Sequence, residues 1–389
     1  MAYRRTILYA GTYERDYPRN QQLIRLLEQL GWDVVEIHAP FWERFRDKSR
    51  LGGAVRLVML LIQMTLAYLR IWFRYLVALR SADAVVIGYI GQLDMLVLAP
   101  IARAMRKPVV FNPLVTLTDT IVEDRGLVRS ESLPARVVQA IDTIAMKLAS
   151  RVIVDTDQNA QYIHDRFGLP RHQSDTVFVG ADEGVFRAGH LGSGTQGLQV
   201  LFYGKMIPLH GIETILGAAS RLAASGDTDI SFEIIGSGQQ EHLVRDFVAS
   251  GNPVQVTYRP WVAYRRLSQR IACSDVVLGV FGSSDKAGRV IPNKVFQAMA
   301  VGVPIITRDS LAIRQVLEDG ISARLIPPND PDALAEAIRS LRDHGERSRL
   351  GAAARSSFES HASDNATRRQ LQACLDHLSL ESVQDGSCD

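Results

Sequence analysis

Short apolar runs alternate with stretches of helical spacing along almost the whole chain, and this rhythm constrains the fold more than any single motif. Residues 6–10 (TILYA) read as a buried strand ending at Gly11, residues 21–30 as a helix stopped by Gly31, and residues 33–38 (DVVEIH) as the next strand. Further strands follow at 84–87, 109–111, 152–155 and 176–179. The rhythm restarts with strands at 199–203, 231–235, 254–258, 276–280 and 304–307, and helices at 212–224, 264–272 and 294–300. Strands joined through helices cannot pair as hairpins, so they form a parallel sheet covered on both faces. The prediction is an α/β chain with two Rossmann-like, doubly wound parallel-sheet domains.

The break between the two rounds falls at 187–197 (RAGHLGSGTQG), which carries four glycines and few large apolar side chains. It reads as a linker between an N-terminal domain, 1–186, and a C-terminal domain, 198–355. A helix at 356–380 is expected to cross back to the N-terminal domain, with 381–389 as a flexible tail. A length of 389 residues already exceeds what one core serves, and 47% hydrophobic residues exclude a disordered chain. Cys273, Cys374 and Cys388 are scattered without a CxxC pair, which argues against a disulfide framework and a structural zinc site. A reducing, cytoplasmic setting fits, and the first ten residues do not read as a signal peptide.

A net charge of +2 conceals a basic stretch in which Arg44, Arg46, Lys48, Arg50, Arg56, Arg70, Arg74 and Arg80 face only Asp47, with Glu43 just outside. Within it, 57–69 is a mostly apolar run of 13 residues. That is too short to span a bilayer, which takes about 20. On a helix at about 54–80, Arg56, Gln63, Arg70 and Arg74 fall on one stripe, and Leu, Met, Ile, Trp72 and Phe73 occupy the rest. One reading is a core helix whose arginines reach solvent along their stems. The other is an interfacial helix on anionic lipid, and the width of the apolar arc favours it. Arg56, Arg70, Trp72, Phe73 and Arg74 are then the membrane contacts, and the protein sits on the inner face of the plasma membrane.

Doubly wound sheets receive ligands at strand carboxyl ends. Gly11 closes the first strand, and the loop after it (TYERDYPRN) carries Arg15 and Arg19, suited to a phosphate or carboxylate. GxGxxG is missing there, so no nicotinamide-dinucleotide fingerprint is present. Gly236 and Gly238 (IIGSGQQ) end another strand, where glycine serves either close packing or nucleotide contact. In FYGKMIPLHGI, Gly204 lets a ligand approach the backbone, Lys205 suits a diphosphate, and His210 precedes a helix whose amides attract anions. In GRVIPNKVFQAMAVGVP, Asn293 opens a helix with Lys294 in its first turn, against the dipole preference, which an anionic ligand would resolve. Gln297 shares the face of Lys294 and offers an amide to sugar hydroxyls.

In this order, GKMIPLHG, FEIIGSG, SDVVLGVF and IPNKVFQAMAVGVPIIT resemble the donor-binding half of family 4 retaining glycosyltransferases, which have the GT-B fold. The likeness is close over most of 199–341 and looser through YPRN, GYIGQLD, DTIVEDR and VGADEGVF. It implies two domains facing a central cleft, with a nucleoside-diphosphate sugar as donor substrate in the C-terminal domain and the acceptor mostly in the N-terminal one. By the resemblance, Gly11, Gly204, Lys205, His210, Gly236, Gly238, Arg289, Asn293, Lys294 and Gln297 serve the donor. His210 stands where the family usually has a lysine, Gln297 where a glutamate usually bonds the ribose, and Arg289 where many members have another glutamate. Arg15, Arg19, Asp94, Asp124 and Arg125 fall to the acceptor. Retention in this family proceeds on the front face of the donor, so Lys205 and Lys294 would stabilise the leaving diphosphate while Asp119 orients the acceptor hydroxyl. The carboxylates form no metal triad, and no obligatory ion is expected.

The function expected is therefore transfer of a sugar to a lipid-linked or cell-envelope acceptor at the cytoplasmic membrane face, without nucleic acid. Two rivals share the scaffold: a nucleotide-sugar epimerase or hydrolase, and a degenerate, non-catalytic homologue that binds membrane or a partner.

Overall fold

The computed structural model describes residues 4–41, 54–124, 128–192, 194, 197–251 and 254–384. Internal contacts divide the chain into two units, Met1–Val177 with Arg368–Asp389, and Phe178–Thr367. The segment 187–197 therefore lies inside the second unit.

The first unit holds β1 (Thr6–Gly11), β2 (Asp33–His38), β3 (Ala84–Ile87), β4 (Val109–Phe111), β5 (Arg151–Val154) and β6 (Ser174–Thr176). They form one parallel sheet in the order β2-β1-β3-β4-β5-β6. Its two faces divide by alternation along each strand. Leu8, Ala10, Val85, Ile87, Val109, Phe111, Val152 and Val154 pack under the helices Ala54–Leu79, Gln92–Ala104 and Leu133–Leu148. Ile7, Tyr9, Ala84, Val86, Val110 and Ile153 face the helices Pro18–Gln29 and Asp364–Gln384. Burial on both sides is why these strands read as continuous apolar runs. Each large side chain so buried contributes about 1.5–3 kcal/mol of transfer free energy.

The second unit repeats the plan with β7 (Leu198–Tyr203), β8 (Ile230–Ile235), β9 (Gln255–Arg259), β10 (Val276–Leu278), β11 (Ile305–Arg308) and β12 (Arg324–Ile326). All are parallel, in the order β12-β11-β10-β7-β8-β9. The helices Ile212–Ala224 and Tyr264–Ala272 fall where the sequence placed them, and Asn293–Val301 is one residue longer at each end than expected.

Four elements differ from the sequence reading, among them β6, which is Ser174–Thr176 where a strand was expected at 176–179. The first helix starts at Pro18 rather than 21, because proline fits the first helical turn, where its missing N–H costs nothing. The short edge strand β12 has only three residues and gave no periodic signal. At the C-terminus, two helices, His344–His361 and Asp364–Gln384, replace the single helix at 356–380. The second continues through 381–384, placed in a flexible tail on composition alone. Leu371, Cys374, Leu375 and Leu378 recur at helical spacing and bury against the first sheet, which holds the helix in place.

Candidate active site

In the second unit β7 ends at Tyr203, and Gly204 follows with φ +141. A Cβ on Gly204 would stand 3.1 Å from Cε1 of His210 and 3.2 Å from Nζ of Lys294, so these three predicted residues converge at one strand end. Lys294, in the first turn of Asn293–Val301, is only 5% exposed. Its Nζ lies 3.8 Å from the centroid of the Phe202 ring and donates to the carbonyl of Gly279 at 3.3 Å. Among the described residues no carboxylate pairs with it. Burial pushes its pKa well below the ordinary lysine value. His210 is likewise pushed well below the ordinary histidine value, first by burial and then by the charges of Lys294 and Lys205. Its Nδ1 is buried with no hydrogen-bond partner of ordinary geometry. Lys205 is exposed.

This cradle is held from behind. The turn Pro208–His210 is bonded to the β10 side by Phe281 N–H donating to the His210 carbonyl at 3.2 Å and Gly282 N–H to the Leu209 carbonyl at 3.2 Å. Gly211 sits at φ +67, and a Cβ there would stand 2.8 Å from the carbonyl carbon of Phe281, so only glycine fits between the two segments. Tyr203 Oη donates to Oε1 of Gln297 at 2.9 Å and to the Lys294 carbonyl at 3.3 Å. The Gln297 oxygen is thereby occupied, and its amide N–H groups are what it has to offer a ligand. Asn293 is partly buried ahead of Lys294. Arg289 ends the short helix Asp285–Arg289, whose Ala287 packs with Ile207, Leu209 and Val280 beside the His210 turn.

Gly236 and Gly238 have a packing reason inside the fold. With φ +140 and +151, their Cβ positions fall against the Gly204 carbonyl group and the Met206 backbone. They allow the β7 and β8 ends to approach. Sequence reasoning missed a pocket beyond β9, lined by Tyr258, Arg259, Pro260, Trp261, Val262 and Arg266. It lies two strands from β7, about 10 Å away in the sheet. Trp261, 76% exposed beside three arginines in that stretch, was the available signal.

In the first unit the expected acceptor residues separate. Arg15 is exposed and pairs with Glu36 at 3.2 Å. Arg19, expected beside it in a ligand-binding loop, is instead in the first helix and 0% exposed. Its Nε donates to Oδ1 of Asn112 at 3.2 Å and its NH1 to Oε1 of Gln22 at 3.1 Å. Burial lowers its pKa to about 10, opposed by the charge of Asp155. Asp155, at the end of β5, is raised by burial against the pull of Asn159 and Arg19, with Asp119 adding to the rise. Asn112, Asp119 and Asp155 are all buried and cluster with Arg19 around the carboxyl ends of β4 and β5. Asp155 was hidden in the sequence as the last residue of a predicted strand.

Gly11 and Asp94 turn out to be partners. A Cβ at Gly11 would stand 2.8 Å from Cγ of Asp94. Asp94, placed at the acceptor by sequence, is 1% exposed and accepts from Thr12 N–H at 2.9 Å and Tyr68 Oη at 2.9 Å. It joins the β1 end to the helix Ala54–Leu79 and is internal, because those bonds draw it into the core. The side chains of Arg56 and Asp124, and Arg125 entirely, lie outside the described residues. Arg70, Trp72, Phe73 and Arg74 are all exposed. Among the described residues no group of His, Cys, Asp and Glu is arranged to hold a metal ion, and no helix is long and apolar enough to cross a membrane.

Residues 197–344 match the family model described as Glycosyl transferases group 1. Over 207 residues the chain is 26% identical to the D-inositol 3-phosphate glycosyltransferase of Rhodococcus erythropolis, covering 50% of this chain and 46% of that one. The Mycobacterium bovis enzyme of the same name is 28% identical over 208 residues, covering 50% and 41%. The chain thus spans less than half the length of the curated relatives it matches. Among solved structures, sucrose-phosphate synthase from Thermosynechococcus elongatus superposes with a TM-score of 0.70 at 18% identity, covering 97% of this chain and 100% of that one. Anabaena HepE in complex with UDP gives 0.66 at 13% identity, covering 96% and 99%. These likenesses show the architecture, a GT-B fold, as the motif order predicted.

Proposed function

We propose, from a GT-B scaffold whose residues 197–344 match group 1 glycosyltransferases, that the protein transfers a sugar from a nucleoside-diphosphate donor to an acceptor with retention of configuration. The observation that carries this reading is the buried Lys294, charged at a cost and without a carboxylate, next to the backbone gap left by Gly204. A diphosphate supplies the missing negative charge. Lys294 and Lys205 would hold the developing charge on the leaving group. His210, kept neutral by burial and its cationic neighbours, would give the phosphate a hydrogen bond. Gln297 would donate to the ribose, and the exposed Trp261 beyond β9 suits stacking on the base. HepE is recorded with UDP and with UDP-glucose, which supports this donor class.

Retention is supported by the family resemblance. For the acceptor, Asp119 with Arg19, Asn112 and Asp155 forms a buried polar group at strand carboxyl ends, the place where such sheets receive ligands. The exposed Arg15 near the β1 end favours a phosphate-bearing, lipid-linked or cell-envelope acceptor. Action at the cytoplasmic membrane face is supported by the outward apolar side chains Leu66, Leu69 and Phe73, with Arg70 and Arg74 along one side of them.

The test is thermal unfolding with UDP, GDP, TDP and ADP, each beside its monophosphate. A ligand at 100 times its dissociation constant adds about 2.7 kcal/mol. One diphosphate should raise the midpoint well above its monophosphate. No response to any diphosphate would overturn the donor reading and favour the non-catalytic homologue.

A further inference from the structure

We propose that two helices of the first unit, Ala54–Leu79 and Leu133–Leu148, present one continuous docking face to an anionic lipid surface. This rests on the membrane reading above and extends it to an element that the sequence did not single out. Both helices, with Gln92–Ala104 between them, cover the same face of the first sheet, because their buried residues share one core with Leu8, Val85, Val109 and Val152. Their outward surfaces therefore turn the same way.

On the helix Ala54–Leu79, Ala67, Ile71, Tyr75 and Leu79 are buried, yet Ile62, Leu66, Leu69, Phe73, Leu76 and Val77 are 43–75% exposed. At 100° per residue these six fall within an arc of about 100° opposite the buried stripe, with Arg70 and Arg74 on its border. On Leu133–Leu148 the inward side is Ala135, Ala145 and Met146, whereas Leu133, Val137 and Ile144 are 74%, 51% and 49% exposed. Those three lie within about 40° of one another and form a second outward stripe. The helix between them adds an exposed Pro100 and the partly exposed Leu96, Val97 and Ile101. Patches of this extent on a soluble surface mark an interaction site.

Charge identifies the occupant. The acids of these three helices are Asp94 and Asp142, and both are buried with their oxygens bonded inside the unit, to Thr12 and Tyr68 and to Leu117 and Thr118. Every exposed charged side chain described on the three helices is basic: Arg70, Arg74, Arg103, Arg136 and Lys147. A broad apolar surface with an aromatic pair at Trp72 and Phe73 and a basic border matches an anionic bilayer. A second copy of the same face would set like charges against each other.

The experiment is sedimentation of the full chain with vesicles of equal parts phosphatidylglycerol and phosphatidylcholine, against phosphatidylcholine alone. Wild type should bind the anionic vesicles selectively. Val137→Glu with Ile144→Glu, and separately Leu66→Glu with Phe73→Glu, should each lower the partition coefficient by about tenfold or more. Unfolding temperature and the diphosphate-induced shift should stay as in wild type, since all four positions are solvent-exposed. If the Val137/Ile144 pair binds like wild type while the Leu66/Phe73 pair does not, the two-helix face is overturned and the single-helix reading stands. If wild type does not sediment, both membrane readings fall and the diphosphate shift alone judges the donor site. A dimer in solution that the Val137/Ile144 pair disperses, without vesicle binding, assigns the face to a second copy and also overturns the proposal.

Discussion

Replacing Lys294 with methionine separates ligand binding from folding in a way few other side chains of this protein allow. In the free protein the ammonium is buried, with one carbonyl at 3.3 Å and the Phe202 ring as its compensation. The depressed pKa means that these contacts do not recover the lost hydration. Methionine keeps the stem on Phe202 and removes the charge. The ligand-free variant should therefore unfold at the same urea concentration as wild type or a higher one. The sign with pH follows. A base whose folded pKa is depressed imposes its full cost below that pKa and sheds it as the pH rises toward 10.5. The advantage of the methionine variant should accordingly shrink as the pH is raised. With ligand the order reverses. A hydrogen bond to a charged group is worth about 1.5–3 kcal/mol, so titration calorimetry with the preferred nucleoside diphosphate should show binding weakened by about 10- to 150-fold. A variant that unfolds far more easily than wild type yet binds the diphosphate equally well would refute the reasoning. The lysine would then be a structural residue.

Three further outcomes follow from the same geometry. Burial raises the Asp94 carboxyl to about 6, so its favourable protonation is fully present below about 3.9 and lost as the pH climbs through 6. The stability of wild type relative to Asp94→Asn should hence increase by about 2 kcal/mol between neutral pH and pH about 4 in denaturant titrations, and a flat difference would contradict it. Gly236→Ala places a Cβ 3.0 Å from the Gly204 carbonyl carbon at φ +140, and should cost about 1–3 kcal/mol in urea unfolding. A neutral alanine there would show that the β7 and β8 ends are not in close contact. Gln297→Leu should weaken the nucleoside diphosphate by about fivefold to tenfold, the worth of one ordinary hydrogen bond, while Gln297→Glu should retain or improve it because ribose hydroxyls donate as well as accept.

Much of the fold was legible because doubly wound sheets write themselves plainly. Strands buried on both faces, such as Ala84–Ile87 and Leu198–Tyr203, have no polar alternation to obscure them. The convergence of Gly204, His210 and Lys294 was also foreshadowed, since each follows or faces a strand end. What the sequence concealed were residues whose polarity points outward while packing takes them in. Arg19 and Asp94 look solvated by residue type, but Asn112 and Gln22 hold the one, and Thr12 and Tyr68 the other. Such partners lie 82–93 residues away for Asp94–Thr12 and Arg19–Asn112, beyond any local pattern. The outward stripe on Leu133–Leu148 was hidden for the converse reason. Spacing shows that Leu133, Val137 and Ile144 share a face, but only the packed sheet shows that the face is turned away from it.

The central claim is glycosyl transfer, and its most direct measurement is turnover of the preferred nucleotide sugar by the full chain, with and without a panel of lipid-linked and small sugar or polyol phosphates. The account predicts release of nucleoside diphosphate that depends on one acceptor class, in equal amount to a new glycoside of unchanged anomeric configuration. Release at the same rate without any acceptor, or a rearranged nucleotide sugar, would contradict it in favour of a hydrolase or an epimerase on the same scaffold.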